Sequence, residues 1–309
     1  MIFKNKTAAA LLAFSTAVVW AFAFPLIKLG IREFEIKSSD IGSKTLFAGV
    51  RFFAAGVVVS LAYAVMHRRG ENKSTDKHGV AFALCLGLVN TALHYFFYYI
   101  GLSNQSGSRS AVIDSMSSFL LIPMACIVFS DEHFTRRKAF GCILGAAGIL
   151  AVNAGGGLTD EFTMSGDGML ILSAVFTAIG GILTRITSKH IDIFSATGIS
   201  LWFGGALLII SGALMGGHLS MFTPFGIFVL CCLIAISIYG FSIYNTLLAY
   251  NPVGRIAIFN SLIPIFGVTF SCVFLHEEFK PQYIAACLLA SFGICTINSE
   301  KTKIQGGDK

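Results

Sequence analysis

Residues 98–132 read YYIGLSNQSGSRSAVIDSMSSFLLIPMACIVFSDE. Two apolar arms flank a small polar turn, and a carboxylate closes the far end. A shift of 146 positions carries Tyr98, Leu102, Arg109, Ala111, Ser115 and Glu132 onto Tyr244, Leu248, Arg255, Ala257, Ser261 and Glu278. The same shift carries Asp114 onto Asn260 and His94 onto Gly240. The two copies occupy corresponding places in two halves of similar length, so the chain is read as an internal repeat.

Composition sets the environment of that repeat. The chain is 55% hydrophobic and 12% charged, about half the charged fraction of a soluble domain. Too few polar groups remain to cover a globular surface, so the chain belongs in a membrane. The net charge of +6 therefore implies no nucleic-acid partner. All eight cysteines fall in apolar runs without a CxxC pair or a histidine cluster. They read as small hydrophobes, with no disulfide and no metal expected.

A helix needs about 20 apolar residues to cross the bilayer core. Ten segments are expected to do so, at 7–29, 45–66, 79–101, 109–130, 137–154, 168–188, 194–216, 225–249, 255–275 and 282–298. With the N-terminus inside, 15 Lys and Arg fall in inside segments and 6 in outside ones. That bias predicts a multi-pass protein of the cell (inner, cytoplasmic) membrane with both termini cytoplasmic. An acidic, glycine-rich stretch near 155–168 divides the spans five and five, giving repeats at 1–157 and 158–309. An odd number of spans per repeat turns the second copy upside down. The expected fold is an all-α membrane protein, ten transmembrane helices as two inverted five-helix repeats around a central cavity. Such repeats are a common build for secondary transporters, with the substrate near the midplane.

Several segments then resemble a known family. Trp20-Ala21-x-x-Phe24 with Lys28, Arg51-Phe52 followed by Ala54-Ala55, and Ser115 to Glu132 carry the likeness in the first half. So do Gly141-x-x-x-Gly145-x-x-Gly148, and Asn260-Ser261-x-x-Pro264 with Glu277-Glu278 beyond it. In order and spacing the chain resembles the drug/metabolite transporter superfamily, specifically the ten-helix EamA type. That resemblance implies a bundle in which helices 1, 3, 4, 6, 8 and 9 line a cavity while 5 and 10 pack behind. It also implies transport of small metabolites, often amino-acid-like and often outward.

Candidate residues follow from the cost of polarity in lipid. An ionisable group within a span costs at least ~2.5–3.5 kcal/mol and normally faces a cavity or a partner. Asp114 is read either as a substrate-amine contact or proton carrier, or as an interfacial carboxylate paired with Arg109. Ser118 shares its face one turn further on. Asn90, His94 and Tyr98 form a polar ladder on the third span, since lipid offers such groups no partner. Trp20 and Phe24 form an aromatic pair one turn apart, as a ligand wall or as ordinary packing. Tyr239 and Asn260 complete the expected wall. Arg51 either snorkels to the interface or meets a carboxylate, and the resemblance implies a gating or structural ion pair. Lys28 and Arg185 read as snorkelling helix-end cations. Glu132 and Glu277 or Glu278, at the ends of spans 4 and 9, are solvated end charges or gate latches. Pro25, Pro123 and Pro264 are expected to interrupt spans 1, 4 and 9.

No Walker loop, GxGxxG or HExxH is present, so no cofactor is expected and an ATP-driven pump is excluded. The expected partners are a small-molecule substrate, the lipid bilayer and protons as coupling ion, carried by Asp114 or His94, in a monomer or homodimer. The expected function is secondary-active export of small metabolites, amino-acid-like on the family resemblance, by alternating access. An uncoupled facilitator or exchanger is the alternative within transport. An intramembrane acyl-transfer enzyme built on His94, Asp114 and nearby serines is the rival from another class.

Overall fold

A computed structural model describes residues 2–66, 77–130, 132–154, 162–220, 223–251, 256, 259–260, 262–279 and 281–298. The divider at 155–161, Arg255, Ala257, Ser261 and Lys280 lie outside the described residues, as do the surroundings of Gly145 and Gly148 and the side chain of Cys295. Regular secondary structure among the described residues is helical, with no β-strand among them. The helices are α1 (Lys6–Glu33), α2 (Ile41–Met66), α3 (Lys77–Leu86), α4 (His94–Asn104), α5 (Gly107–Asp114) and α6 (Met116–Val128). They continue as α7 (Arg136–Ala154), α8 (Met169–Thr187), α9 (Ile193–Leu214), α10 (Pro224–Tyr250), α11 (Leu262–Leu275) and α12 (Pro281–Asn298).

Seven helical stretches are long and apolar enough to cross a membrane by length and composition, the α3–α4 and α5–α6 runs counting as one each. Helices also occupy the other three expected spans, as α7, the shorter α11, and α12. This is a multi-pass membrane protein, and its local structure fits lipid. Asn5 caps α1, accepting from the amides of Thr7 and Ala8 at 3.0 and 3.2 Å. Asp192 caps α9 in the same way, and Thr223 caps α10 ahead of Pro224. Such caps satisfy the orphan amides of a first turn. Within the spans, Thr16, Ser115 and Thr184 turn their hydroxyls back onto carbonyls three or four residues upstream. That is the available partner where no water reaches.

Helix pairing is reciprocal between the halves. α2 lies along α9 and α7 along α12; α1 packs on α10 and α11, while α8 packs on α4 and α6. The α2–α9 contact brings backbones together: a Cβ on Gly56 would strike the Trp202 backbone, and one on Gly205 the Phe53 backbone. Small residues permit that approach where helices associate in lipid.

The interruptions fall elsewhere than the prolines suggest. α1 runs unbroken through Pro25, and α6 through Pro123. The fourth span instead breaks at Ser115, directly after Asp114. Pro264 lies within α11, two residues after its first described residue. The third span widens into a π-helical turn at Gly87–Leu93, and a second such turn at Met164–Gly168 leads into α8.

Candidate functional site

A cavity opens between α1, α4, α5, α6, α8 and α10, closed on one flank by Asn260 and Ile263. The widened turn sets one wall. It puts Asn90 against α8, where a Cβ on Gly180 would lie 2.6 Å from the Asn90 Cβ. The space beside Gly180 is thus occupied by Asn90. His94 follows, its Nδ1 3.1 Å from the Ser173 carbonyl and 2.6 Å from the Thr177 hydroxyl.

Six aromatic rings form a chain round the cavity. Centroid separations run 6.1 Å for Phe24–Tyr98, 5.7 Å for Tyr98–Tyr95 and 6.2 Å for Tyr95–Phe241. They continue at 5.7 Å for Phe241–Trp20 and 4.7 Å for Trp20–Tyr244. Trp20 reaches its place because Gly240 lacks a side chain; a Cβ there would collide with the indole nitrogen.

Two formal charges border this space. Arg51 is 1% exposed. Its Nε donates to the Leu233 carbonyl at 3.1 Å and the Ser237 hydroxyl at 2.8 Å, and its Nη1 to the Tyr99 hydroxyl at 3.2 Å. The guanidinium also lies 4.7 Å from the Phe52 ring centroid. The expected ion pair is therefore replaced by an anchor on α10, with no carboxylate paired to Arg51 among the described residues. Asp114 differs. Its carboxylate receives no hydrogen bond and joins no ion pair among the described residues, and it lines the cavity.

Arg109, the partner weighed for Asp114, is engaged elsewhere. Its Nε lies 2.7 Å from Asp167 Oδ1 and its Nη2 3.1 Å from Oδ2. Asp167 also accepts from the Gln105 amide group and the Thr163 N–H, each at 2.9 Å. This buried fork binds the start of α5 to the entry of α8. Nearby, Glu277 accepts from the Gly107 N–H at 2.7 Å, the Ser108 N–H at 3.0 Å and the Ser108 hydroxyl at 2.8 Å. Lys28 approaches Glu277 at 3.7 Å. At the end of α6, Glu132 meets Lys138 at 3.1 Å and Arg185 at 3.4 Å. Lys28 and Arg185 are thus paired, not simply snorkelling. Of the two adjacent carboxylates, Glu277 makes these contacts and Glu278 is exposed.

Eight of the nine residues expected to bind substrate line the cavity: Trp20, Phe24, Asn90, His94, Tyr98, Asp114, Ser118 and Asn260. Tyr239 does not. It is 37% exposed and pairs with the Ser15 hydroxyl at 2.6 Å. Two residues before Phe241, it points about 200° round the helix at 3.6 residues per turn. Phe241, Tyr244, Asn245 and Leu248 form the facing stripe instead, which the helical period through Gly240 would have picked out. Tyr95, Thr177 and Thr184 also line the cavity; their types are common in any packed span.

The chemistry available is recognition. Ser115 and Ser117 donate to the Val112 and Asp114 carbonyls, and Ser118 contacts Asn260 at 3.4 Å. Among the described residues no serine hydroxyl is hydrogen-bonded to His94, whose Nδ1 meets the Ser173 backbone carbonyl and the Thr177 hydroxyl instead, so no serine–histidine nucleophile is assembled there. No group of three His, Cys, Asp or Glu side chains is placed to hold a metal ion among them either.

A family model described as the EamA-like transporter family matches residues 7–154 and 164–299. The chain is 26% identical over 303 residues to the uncharacterized transporter YvbV of Bacillus subtilis (strain 168), covering 97% of this chain and 94% of that one. It is 27% identical over 240 residues to UDP-xylose transporter 1 of Arabidopsis thaliana, covering 72% and 66%. A protein crystal structure matches with a TM-score of 0.72 at 14% identity, covering 98% of this chain and 100% of that one; it bears on the fold alone.

Proposed function

The chain belongs to the EamA-like transporter family, and on that premise we propose that it is a secondary-active transporter exporting small polar or amphipathic metabolites by alternating access. The observation that carries this reading is the cavity lined by residues from both 1–157 and 158–309, with a carboxylate in its wall that has no partner among the described residues. The moving bodies are two inverted five-helix repeats, 1–157 and 158–309. The reciprocal helix pairing supports that division: exchanging the halves maps each principal contact onto another or onto itself. The protein lies in the cytoplasmic membrane with both termini inside, as the Lys and Arg distribution favours.

Within this mechanism Trp20, Phe24, Asn90, His94, Tyr98, Asp114, Ser118 and Asn260 contact the substrate, and Asp114 couples its movement to protons. Glu277 and Glu132 latch opposite ends of the cavity. A nucleotide sugar, as the name of the Arabidopsis relative implies for that protein, is anionic and would meet the Asp114 carboxylate as a like charge. That no serine hydroxyl meets His94 among the described residues argues against acyl-transfer chemistry. Flux into proteoliposomes under an imposed pH gradient tests the reading, with Asp114→Asn alongside. Gradient-driven accumulation that Asp114→Asn removes is expected. Full transport with unchanged pH dependence in the variant removes Asp114 from coupling, and flux indifferent to the gradient makes the protein a facilitator.

A further inference from the structure

Resting on the transport reading of this cavity, we propose that its substrate class is the small organic amine: one protonated ammonium group on an apolar, ring-sized body, with no carboxylate beside it. The repeat supplies an internal control. Tyr244 and Asn260 occupy the positions that Tyr98 and Asp114 occupy in the first half. In the second half the amide donates to the phenol oxygen at 2.8 Å and reaches Ser118 at 3.4 Å. In the first half the carboxylate cannot donate, and the Tyr98 hydroxyl makes no hydrogen bond to it. The neutral copy is satisfied from within the protein and the charged copy is left open. A carboxylate removed from water without a partner is costly, and an ammonium donor supplies both charge and hydrogen bonds.

The remaining groups fix the rest of the ligand. The ring chain from Phe24 through Tyr98, Tyr95, Phe241 and Trp20 to Tyr244 offers π-faces and edges round the same space. Ring faces attract organic cations and accommodate apolar bodies. Arg51 is the cation that could have received a carboxylate. It is 1% exposed and held by Leu233, Ser237 and Tyr99. A ligand carboxylate would have to strip those bonds while meeting Asp114 as a like charge. The charge open to a ligand is therefore negative.

Three probes sharing one aromatic body separate the classes: phenethylamine, phenylalanine and 3-phenylpropionate, titrated calorimetrically into the purified full-length protein. Phenethylamine is expected to bind at least tenfold more tightly than phenylalanine, with 3-phenylpropionate not bound. Asp114→Asn is expected to weaken phenethylamine at least tenfold, and Asp114→Glu to retain part of the affinity. Equal or tighter binding of phenylalanine, binding of 3-phenylpropionate, or no binding of phenethylamine overturns the assignment on the unmodified protein, whatever the variants do. Counterflow in proteoliposomes keeps the two claims apart. Phenylalanine carried in preference to the amine overturns the amine class and leaves transport standing. Phenethylamine bound but never carried leaves the ammonium site and overturns transport.

Discussion

Replacing Glu277 by glutamine tests whether one end of the cavity is held shut by a carboxylate on a helix N-terminus. The Glu277 side chain is 15% exposed. Its Oε1 accepts from Gly107 N–H, and its Oε2 from both the N–H and the hydroxyl of Ser108. Glutamine keeps one acceptor oxygen and turns an NH₂ group toward the other donors. At best it retains the Ser108 contacts and loses the Gly107 bond, worth about 1.5–3 kcal/mol when the acceptor is charged. The attraction of a carboxylate to the first turn of α5 is lost as well, about 0.3–1 kcal/mol. The closed arrangement should weaken by about 2–4 kcal/mol, which is roughly a 30- to 1,000-fold rise in the open population at about 1.4 kcal/mol per factor of ten. A cysteine at Ser117, in a background lacking the eight native cysteines, reads that population through its rate of modification by an impermeant maleimide. In Glu277→Gln the rate from the Glu277 side should rise within that range, without a matching rise from the opposite side. An unchanged rate on that side, or equal rises on both, would refute the latch and indicate general loosening instead.

The other predictions concern stability and the cavity wall. Arg109→Met leaves Asp167, whose side chain is fully buried, without its cation. It should cost about 3–5 kcal/mol, and thermal unfolding in detergent should show most of that loss recovered in Arg109→Met/Asp167→Leu. Gly180→Ala forces Asn90 to move, because the new Cβ would lie 2.6 Å from the Asn90 Cβ. A loss of about 1–3 kcal/mol is expected, with ligand binding also weakened, and an unaltered melting temperature would show that the turn at Gly87–Leu93 shifts freely. Tyr239→Phe removes the bond to Ser15 outside the cavity, so ligand affinity should stay within about twofold, as for an exposed side chain away from such a feature.

Hydropathy made the helical segments legible, because lipid demands apolar runs of a fixed length. Asp114 was legible for the converse reason: a carboxylate in such a run needs an explanation. The anchoring of Arg51 was not, since its partners on α10 lie more than 180 positions away and a backbone carbonyl leaves no mark in a sequence. Asp167 was hidden in the acidic, glycine-rich stretch that divides the spans, yet it is buried under Arg109. The break at Ser115 and the wide turn at Gly87–Leu93 carry no proline to announce them. The second depends on a glycine in another helix, Gly180, to admit Asn90. The aromatic residues divided by geometry, because in a membrane span a cavity ring and a lipid-facing ring have the same composition. Only the angular position on α10 separates Phe241 and Tyr244 from Tyr239.

The repeat and its departures perform different work. Where the halves agree, in Tyr98 with Tyr244 and in the reciprocal pairing of α1 and α8 with their neighbours, the residues build a frame that either half could supply. Two departures shape the proposed ligand site. Gly240 stands where the first half has His94, and the missing side chain is what lets Trp20 enter the ring chain. Asn260 stands where the first half has Asp114, and its amide closes on Tyr244 while the carboxylate stays open. Restoring symmetry at either position should therefore remove binding by different routes. Gly240→His fills the space of the indole and displaces an aromatic wall. Asp114→Asn provides the donor that Tyr98 lacks, so it converts an open charge into a second internal hydrogen bond like that of Tyr244. A structure of Asp114→Asn in which the introduced amide donates to the Tyr98 hydroxyl, with no affinity for phenethylamine, would tie the ligand site to broken symmetry. Retained affinity with that bond formed would place recognition elsewhere in the cavity.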